Sequence, residues 1–215
     1  MEFIKEEDKK EISKIFESRL KGDVNIMVFT SNDKSVCMYC KETVDLLNEL
    51  ASLSNKIKIK RYDINENSKE AKFMGIDKVP AIVLGGKVIH NLYYFGIPTG
   101  YEFASLLEDI IDVSAGETRL SPSTKEALKK INKPVDIKVF VTPTCPWCPR
   151  AVRTAHQFTI ENNKIKSSMI EATEFPELSQ SYEVMAVPKI VINEKESFEG
   201  AQPEEVFLEY ITKTQ

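Results

Sequence analysis

The sequence predicts an α/β protein built from two tandem units that repeat one order of elements, α-β-α-β-α-β-β-α. Three observations carry that expectation. The four cysteines fall into two C-x-x-C pairs, Cys37-Met38-Tyr39-Cys40 and Cys145-Pro146-Trp147-Cys148. Each pair follows an apolar β-type run and precedes a stretch of helical periodicity. Each is also followed at one fixed distance by a Val-Pro step: Pro80 lies 43 residues beyond Cys37, and Pro188 lies 43 residues beyond Cys145. The 215 residues suffice for two units of about 100 residues, each with a core of its own.

The first unit, residues 1–117, opens on a charged amphipathic helix over 5–20. Val24-Asn25-Ile26-Met27-Val28-Phe29 reads as a strand, and Val44, Leu47, Leu50 and Ala51 set the helix after the first cysteine pair. A second strand runs over 57–64, with the third helix in the interval before Val79. Val79-Pro80-Ala81-Ile82-Val83-Leu84 opens the third strand, and Gly85-Gly86 turns it into a strand-like run that ends at His90. Phe103, Leu106, Leu107 and Ile110 mark the closing helix. A polar stretch from Ser114 to Pro122 separates the units.

The second unit, residues 118–215, repeats the order. A helix over 123–131 leads to a strand over 135–141, and Ala151, Val152, Ala155 and Phe158 set the helix after Cys148. The strand over 164–171 matches 57–64, so Glu171 matches Asp63. Val187-Pro188 opens the next strand, Phe198-Glu199-Gly200 answers Phe95-Gly96, and Val206, Phe207 and Tyr210 mark the last helix. Upstream of its cysteines the first unit holds three extra residues, within 31–36.

Composition narrows the function classes. Hydrophobic residues make up 42% and charged residues 29%, an ordinary globular balance. The net charge of −4 gives no electrostatic case for nucleic-acid binding. No apolar run approaches the roughly 18–20 residues needed to cross a bilayer, and the acidic amphipathic start is not a secretory signal. The expectation is a cytoplasmic protein without membrane or nucleic-acid partners. Lys and Glu dominate the charged residues, a bias reported for hyperthermophile proteins, which form the exception to the rule against stable cytosolic disulfides.

Spacing alone leaves the cysteine pairs open to redox chemistry or metal binding. Position on a helix start favours the first. A thiolate there faces unpaired backbone N–H groups and the positive end of the dipole, which lowers its pKa. Two cysteines within one turn also lie in disulfide range. Cys37 and Cys145 are then the exposed attacking thiols, and Cys40 and Cys148 the shielded ones that resolve a mixed disulfide. Pro146 suits a helix start, and Trp147 offers an exposed aromatic surface to a bound polypeptide. Val79-Pro80 and Val187-Pro188 stand at strand starts, where proline costs little; their equal distance from the cysteines suggests a shared role and cis bonds.

With these motifs the sequence resembles the thioredoxin/glutaredoxin superfamily, and within it the two-unit protein disulfide oxidoreductases of thermophilic archaea and bacteria, over nearly the whole chain. Cys145-Pro146-Trp147-Cys148 is similar to the glutaredoxin C-P-x-C motif, whereas Cys37-Met38-Tyr39-Cys40 departs from it. The resemblance implies two tandem thioredoxin-fold units, each a central mixed β-sheet flanked by α-helices. It also implies cis prolines at Pro80 and Pro188 lying against the sulfurs, with Val79 and Val187 offering backbone hydrogen bonds to an extended substrate. Thioredoxins carry a buried Asp six residues ahead of the first cysteine; Ser31 and Val139 stand there instead. Asp63 and Glu171 are therefore the candidate proton acceptors.

Rival chemistries fit less well. The two pairs sit in separate apolar units, unlike zinc knuckles, so no metal is expected. His156 is too far along its helix to serve as a base for Cys145. Tyr93-Tyr94-Phe95 reads as core or inter-unit packing. No dinucleotide fingerprint is present, so the expected cofactors are the redox-active disulfides alone, supplied by a separate flavin-dependent, thioredoxin-reductase-like donor. The expected function is thiol–disulfide exchange on protein disulfides. Two alternatives stand beside it. One is a dedicated electron carrier, similar to the two-fold domain that relays electrons from a flavin reductase to a peroxiredoxin, although that domain lacks the first C-x-x-C. The other is a peptide-binding or chaperone-like module with structural disulfides.

Overall fold

Short β-branched runs alternate with amphipathic segments throughout, and the computed structural model, which describes residues 3–215, resolves them into two sets of elements. The first set is α1 (Glu6–Arg19), β1 (Val24–Thr30), α2 (Cys40–Ala51), β2 (Ile57–Asp63), α3 (Ser68–Phe73), β3 (Ala81–Gly85), β4 (Ile89–Phe95) and α4 (Glu102–Ala115). The second is α5 (Pro122–Lys129), β5 (Val135–Val141), α6 (Cys148–Glu161), β6 (Ile165–Glu171), α7 (Pro176–Ser181), β7 (Lys189–Ile192), β8 (Glu196–Glu199) and α8 (Glu204–Thr214). Each set is a thioredoxin-fold unit in the expected order. One strand differs from its expected bounds. His90 stands near the start of β4 rather than at its end, because Tyr93, Tyr94 and Phe95 continue the strand, paired on both sides.

All eight strands join one sheet, in the order β2-β1-β3-β4-β6-β5-β7-β8. Within each unit the first two strands run parallel and the third and fourth antiparallel to their neighbours. The units meet where β4 pairs with β6 in parallel, Leu92 opposite Ser167 through Phe95 opposite Ile170. β6 is thus covered on both sides, while its counterpart β2 is a free edge. The same contrast appears in composition. β2 carries Lys58, Lys60 and Arg61, the charges that blunt an exposed edge, whereas β6 carries Ser167, Ser168 and Met169, all buried.

Two layers of helices cover the sheet. Leu46, Leu47 and Leu50 of α2 share one apolar cluster with Ala151, Val152, Ala155 and Phe158 of α6, together with α1, α4, α5 and α8. On the other face α3 and α7 pack over Phe29, Val83, Phe95 and Ile170. From Ile26 onward β1, and β3 throughout, are buried on both faces, which explains the apolar runs Ile26–Phe29 and Ala81–Leu84. The linker is anchored by caps: Gly116 ends α4 in the left-handed region at φ 68°, and Ser121 Oγ accepts the Thr124 N–H at 3.2 Å to start α5.

The two cysteine pairs follow β1 and β5, which are parallel, so both stand at the same end of the sheet. Four strand spacings separate β1 from β5, about 19 Å. Four cysteines so placed cannot gather around one zinc ion, whose thiolate bonds are about 2.3 Å.

Candidate active sites

Both pairs are disulfide-bonded, with Cα atoms 5.6 Å apart for Cys37–Cys40 and 5.5 Å for Cys145–Cys148. The helices begin one turn later than a start at the first cysteine, the position expected for the attacking thiols. α2 starts at Cys40 and α6 at Cys148, so the first cysteine of each pair lies in the turn before the helix. In the second site Pro149 takes the second helical position, where proline is tolerated, and Pro146 lies in the preceding turn; α2 starts at the equivalent Cys40 with Lys41 in that place. The Cys37 N–H donates to Asp33 O at 2.9 Å and the Cys145 N–H to Thr142 O at 3.2 Å.

Cys37 and Cys145, expected to be the exposed attacking thiols, are nearly covered in the disulfide form. Cys37 is 4% exposed and Cys145 8%, against 4% for Cys40 and 0% for Cys148. Side chains within the motifs take the solvent instead: Met38 is 72% exposed and Trp147 66%. Backbone donors already address the sulfurs. The Cys148 N–H donates to Cys145 Sγ at 3.1 Å, and the Ser31 N–H donates to Cys40 Sγ at 3.2 Å.

Val79-Pro80 and Val187-Pro188 are both cis. Cys145 Sγ lies 3.7 Å from the carbonyl oxygen of Val187, and Val79 packs in one apolar cluster with Cys37 and Cys40. Each proline carbonyl accepts an N–H from a glycine in the left-handed region: Gly96 to Pro80 at 3.0 Å, and Gly200 to Pro188 at 2.9 Å. The correspondence of Phe95-Gly96 with Phe198-Glu199-Gly200 is therefore a shared device for holding the cis loop.

Asp63 and Glu171 stand at matching strand ends, but their hydrogen bonds go to turns rather than to sulfur. Asp63 Oδ1 accepts the N–H groups of Asn65 at 2.9 Å and Glu66 at 3.3 Å. Glu171 accepts the Thr173 N–H and hydroxyl and the Glu174 N–H.

Hydrophobic periodicity did not single out a different carboxylate. Glu102, Ser105, Asp109 and Asp112 form one polar stripe on α4, all buried. Its lower part faces α6: Asp109 is ion-paired with Arg153 and lies 2.6 Å from His156 Nδ1, and Asp112 is ion-paired with Arg153. The Tyr94 hydroxyl also donates to Asp109. Burial, and secondarily the Arg153 charge, hold His156 well below its ordinary pKa. The helices start side by side, with the Tyr101 N–H donating to Pro143 O at 3.1 Å, two residues before Cys145. Gly100 permits that approach, since a Cβ there would collide with the Pro143 carbonyl. The stripe thus carries Glu102 to the level of the Cys145–Cys148 turn. Glu102 is 2% exposed, neither of its carboxylate oxygens is within good hydrogen-bond geometry of a partner among the described residues, and burial, opposed only by the neighbouring Ser105 hydroxyl, pushes its pKa up to about 7.

Comparisons with known proteins agree with this geometry. A family profile described as "Thioredoxin domain" matches residues 135–213, and one described as "Domain of unknown function (DUF7088)" matches residues 10–98. A solved protein disulfide oxidoreductase from Aeropyrum pernix k1 superposes with a TM-score of 0.91 at 31% identity, covering 100% of this chain and 94% of that one. The alkylhydroperoxide reductase AhpF of Enterococcus faecalis (V583) gives 0.89 at 25% identity, covering 98% and 100%. Among curated proteins, the AhpF component of the alkyl hydroperoxide reductase of Staphylococcus epidermidis is 28% identical over 197 residues, 91% of this chain and 35% of that protein. The chain spans about a third of the length of the curated relatives it matches. Among the described residues no helix is long and apolar enough to cross a membrane. An identity of 31% sustained almost end to end over both chains marks common descent, and the chain belongs to the protein disulfide oxidoreductases of the thioredoxin superfamily, proteins that exchange thiols and disulfides.

Proposed function

We propose that residues 1–117 and 118–215 are two exchange units acting separately on disulfides of protein clients. The carrying observation is that both C-x-x-C pairs are closed as disulfides at the same end of one sheet, each with its own cis Val-Pro. In the reduced form, the Cys145 thiolate attacks one sulfur of a client disulfide, making a mixed disulfide and releasing a client thiolate. The Cys148 thiolate then attacks Cys145 Sγ, closing the internal disulfide and releasing the second client thiolate. Two electrons pass to the client, and two protons follow. Cys37 and Cys40 act in the same way in the first unit. Trp147 and the backbone of Val79 and Val187, beside Pro80 and Pro188, hold the client segment.

The proton of Cys148 needs an acceptor, and we assign it to Glu102 in preference to Glu171 or Asp63, whose oxygens are engaged in turns. A carboxyl near 7 exchanges a proton at neutral pH without a large driving-force penalty. Glu102→Gln, in a chain whose first pair is Cys37→Ser/Cys40→Ser, is expected to slow client reduction about 10²-fold and to remove the limb near pH 7 from the rate profile. Its stability effect has the opposite sign. The folded carboxyl has its pKa raised from 4.5 to about 7, so its contribution is present below 4.5 and lost as pH rises through 7. Glu102→Gln therefore unfolds at higher urea than the parent above pH 7, while reducing clients more slowly.

About 19 Å between β1 and β5, in one continuous sheet, prevents a sulfur of one pair from attacking the other directly. Electrons reach each unit from outside, and a separate flavin-dependent reductase of the thioredoxin-reductase type is the proposed cytoplasmic donor. A dedicated carrier role is the second reading, favoured by the likeness to the alkyl hydroperoxide reductase AhpF. Two intact disulfides favour the general oxidoreductase over the dedicated carrier.

The test is an anaerobic titration through graded dithiol/disulfide buffers, read by alkylation and mass. Four thiols are expected to disappear as two internal pairs with separate midpoints. Thiols that resist oxidation and co-purify with zinc would end the exchange reading.

A further inference from the structure

The tandem arrangement gives the two buried sulfurs different polar neighbours. Arg61 lies on β2 opposite Val28, and its counterpart on β6, opposite Val139, is the buried Met169. Ile57 and Ile59, on the same face of β2, pack in the cluster that holds α2, whereas Tyr62 stacks on Phe29 on the other face. Arg61 therefore extends on the α2 side. Its Nε donates to Thr30 Oγ1 at 2.9 Å and its Nη2 to Asn32 Oδ1 at 2.9 Å. These two residues flank Ser31, whose N–H donates to Cys40 Sγ. Arg61, Ser31, Asn32, Cys37 and Cys40 line one cavity of about 310 Å³.

Strand position explains the difference. β2 is a sheet edge, where a guanidinium keeps contact with water; β6 is interior, where it could not. The other charged groups facing the cavity are Lys34 and, on α2, Lys41, Glu42 and Asp45; Lys41 and Asp45 pair with each other. Among the described residues Arg61 has no ion pair, and its two hydrogen bonds go to neutral side chains.

We propose that Arg61 is a positioning residue for charge at the first site: a cation held beside the buried Cys40 sulfur, which makes Cys37–Cys40 the more oxidising of the two pairs. The inference rests on the exchange reading above. A nearby cation favours the thiolate over the thiol and so stabilises the reduced pair, which raises its reduction potential. The second site has no such cation in the equivalent place. Electrons delivered to the second pair would accordingly pass, through a shared client or a second molecule, to the first.

The experiment equilibrates the full chain carrying Cys145→Ser/Cys148→Ser with glutathione buffers and compares Arg61 variants. Arg61→Met is expected to lower the equilibrium constant for reduction of Cys37–Cys40 about tenfold, close to 30 mV. Arg61→Lys keeps most of the parent value, and the alkylation profile of the reduced Arg61→Met pair moves to higher pH. At about 1 M salt, where charges are screened within about 3 Å, the gap between parent and Arg61→Met narrows. A purely structural role would not give that salt dependence. A midpoint within twofold of the parent in Arg61→Met, with the pair still titrating, overturns this inference and leaves the exchange reading standing. A parent pair that does not exchange with glutathione at all overturns both.

Discussion

Cys145→Ser, in a chain whose first pair is already Cys37→Ser/Cys40→Ser, is expected to lower the rate of client-disulfide reduction at least about a thousandfold. The reason is chemical. A serine hydroxyl is scarcely ionised at neutral pH and forms no bond to sulfur of comparable stability, so the mixed disulfide never begins. Cys148→Ser should act at the next step. Cys145 remains able to attack, but nothing then displaces the client, and a covalent adduct accumulates. Burial sharpens the contrast: Cys148 is fully enclosed, while Cys145 lies beside the exposed Trp147 and the Val187 carbonyl. Mass spectrometry of the unreduced mixture separates the outcomes. An adduct with Cys148→Ser and none with Cys145→Ser is expected. Substantial reduction by Cys145→Ser would reverse the roles of the two cysteines. Serine in place of a disulfide cysteine leaves a small buried hydroxyl, so comparison of unfolding midpoints guards against reading lost stability as lost chemistry.

Much of the fold was legible because the sequence states it twice. Matching Val24–Phe29 with Val135–Val141, and Val79-Pro80 with Val187-Pro188, aligned strands that either copy alone would have left ambiguous. The helix starts were less legible: the motif argument put the first cysteine in the first helical turn, whereas in both units the turn from the first cysteine to the second precedes the helix. Pairing of β4 with β6 was not legible at all. Parallel strands from different units share no turn, and the Tyr93-Tyr94-Phe95 run announces burial without naming its partner. The same seam hides Glu102. An acidic residue in the first turn of a helix reads as a solvated group that complements the dipole. In the fold it is 2% exposed. One signal was available: Glu102, Ser105, Asp109 and Asp112 place a polar stripe along a helix whose other positions include Leu106, Ile110, Ile111 and Val113, and such a stripe demands a polar partner elsewhere. Asp63 and Glu171 show what symmetry does give. The repeat placed them correctly at strand ends, where local turns use their oxygens.

Asp109→Ala is expected to cost about 3–5 kcal/mol of stability, a large share of the roughly 5–15 kcal/mol typical of a folded domain. Asp109 is fully buried and gathers three partners from two elements: the Tyr94 hydroxyl from β4, and Arg153 and His156 from α6. Removing it leaves Arg153, whose side chain is 13% exposed, with only Asp112 to balance its charge. Desolvation has already pulled the Arg153 pKa down to about 10, so the cation is costly where it stands and far more so unpaired. Asp109→Asn keeps an acceptor for Tyr94 and His156 but loses the charge, and should fall between parent and alanine. Urea unfolding at neutral pH, with an unchanged slope, checks the order. The variants also separate packing from chemistry. This cluster links α4, which carries Glu102 at its start, to α6, which carries Cys148 at its start. Under conditions where Asp109→Asn stays folded, the second site should keep its cysteines reactive while its rate profile loses definition near pH 7, and the first site should not change. If Asp109→Ala unfolds at the parent's urea concentration, the units are held together by the β4–β6 ladder and apolar packing alone, and the ion cluster contributes no more than it cost to bury.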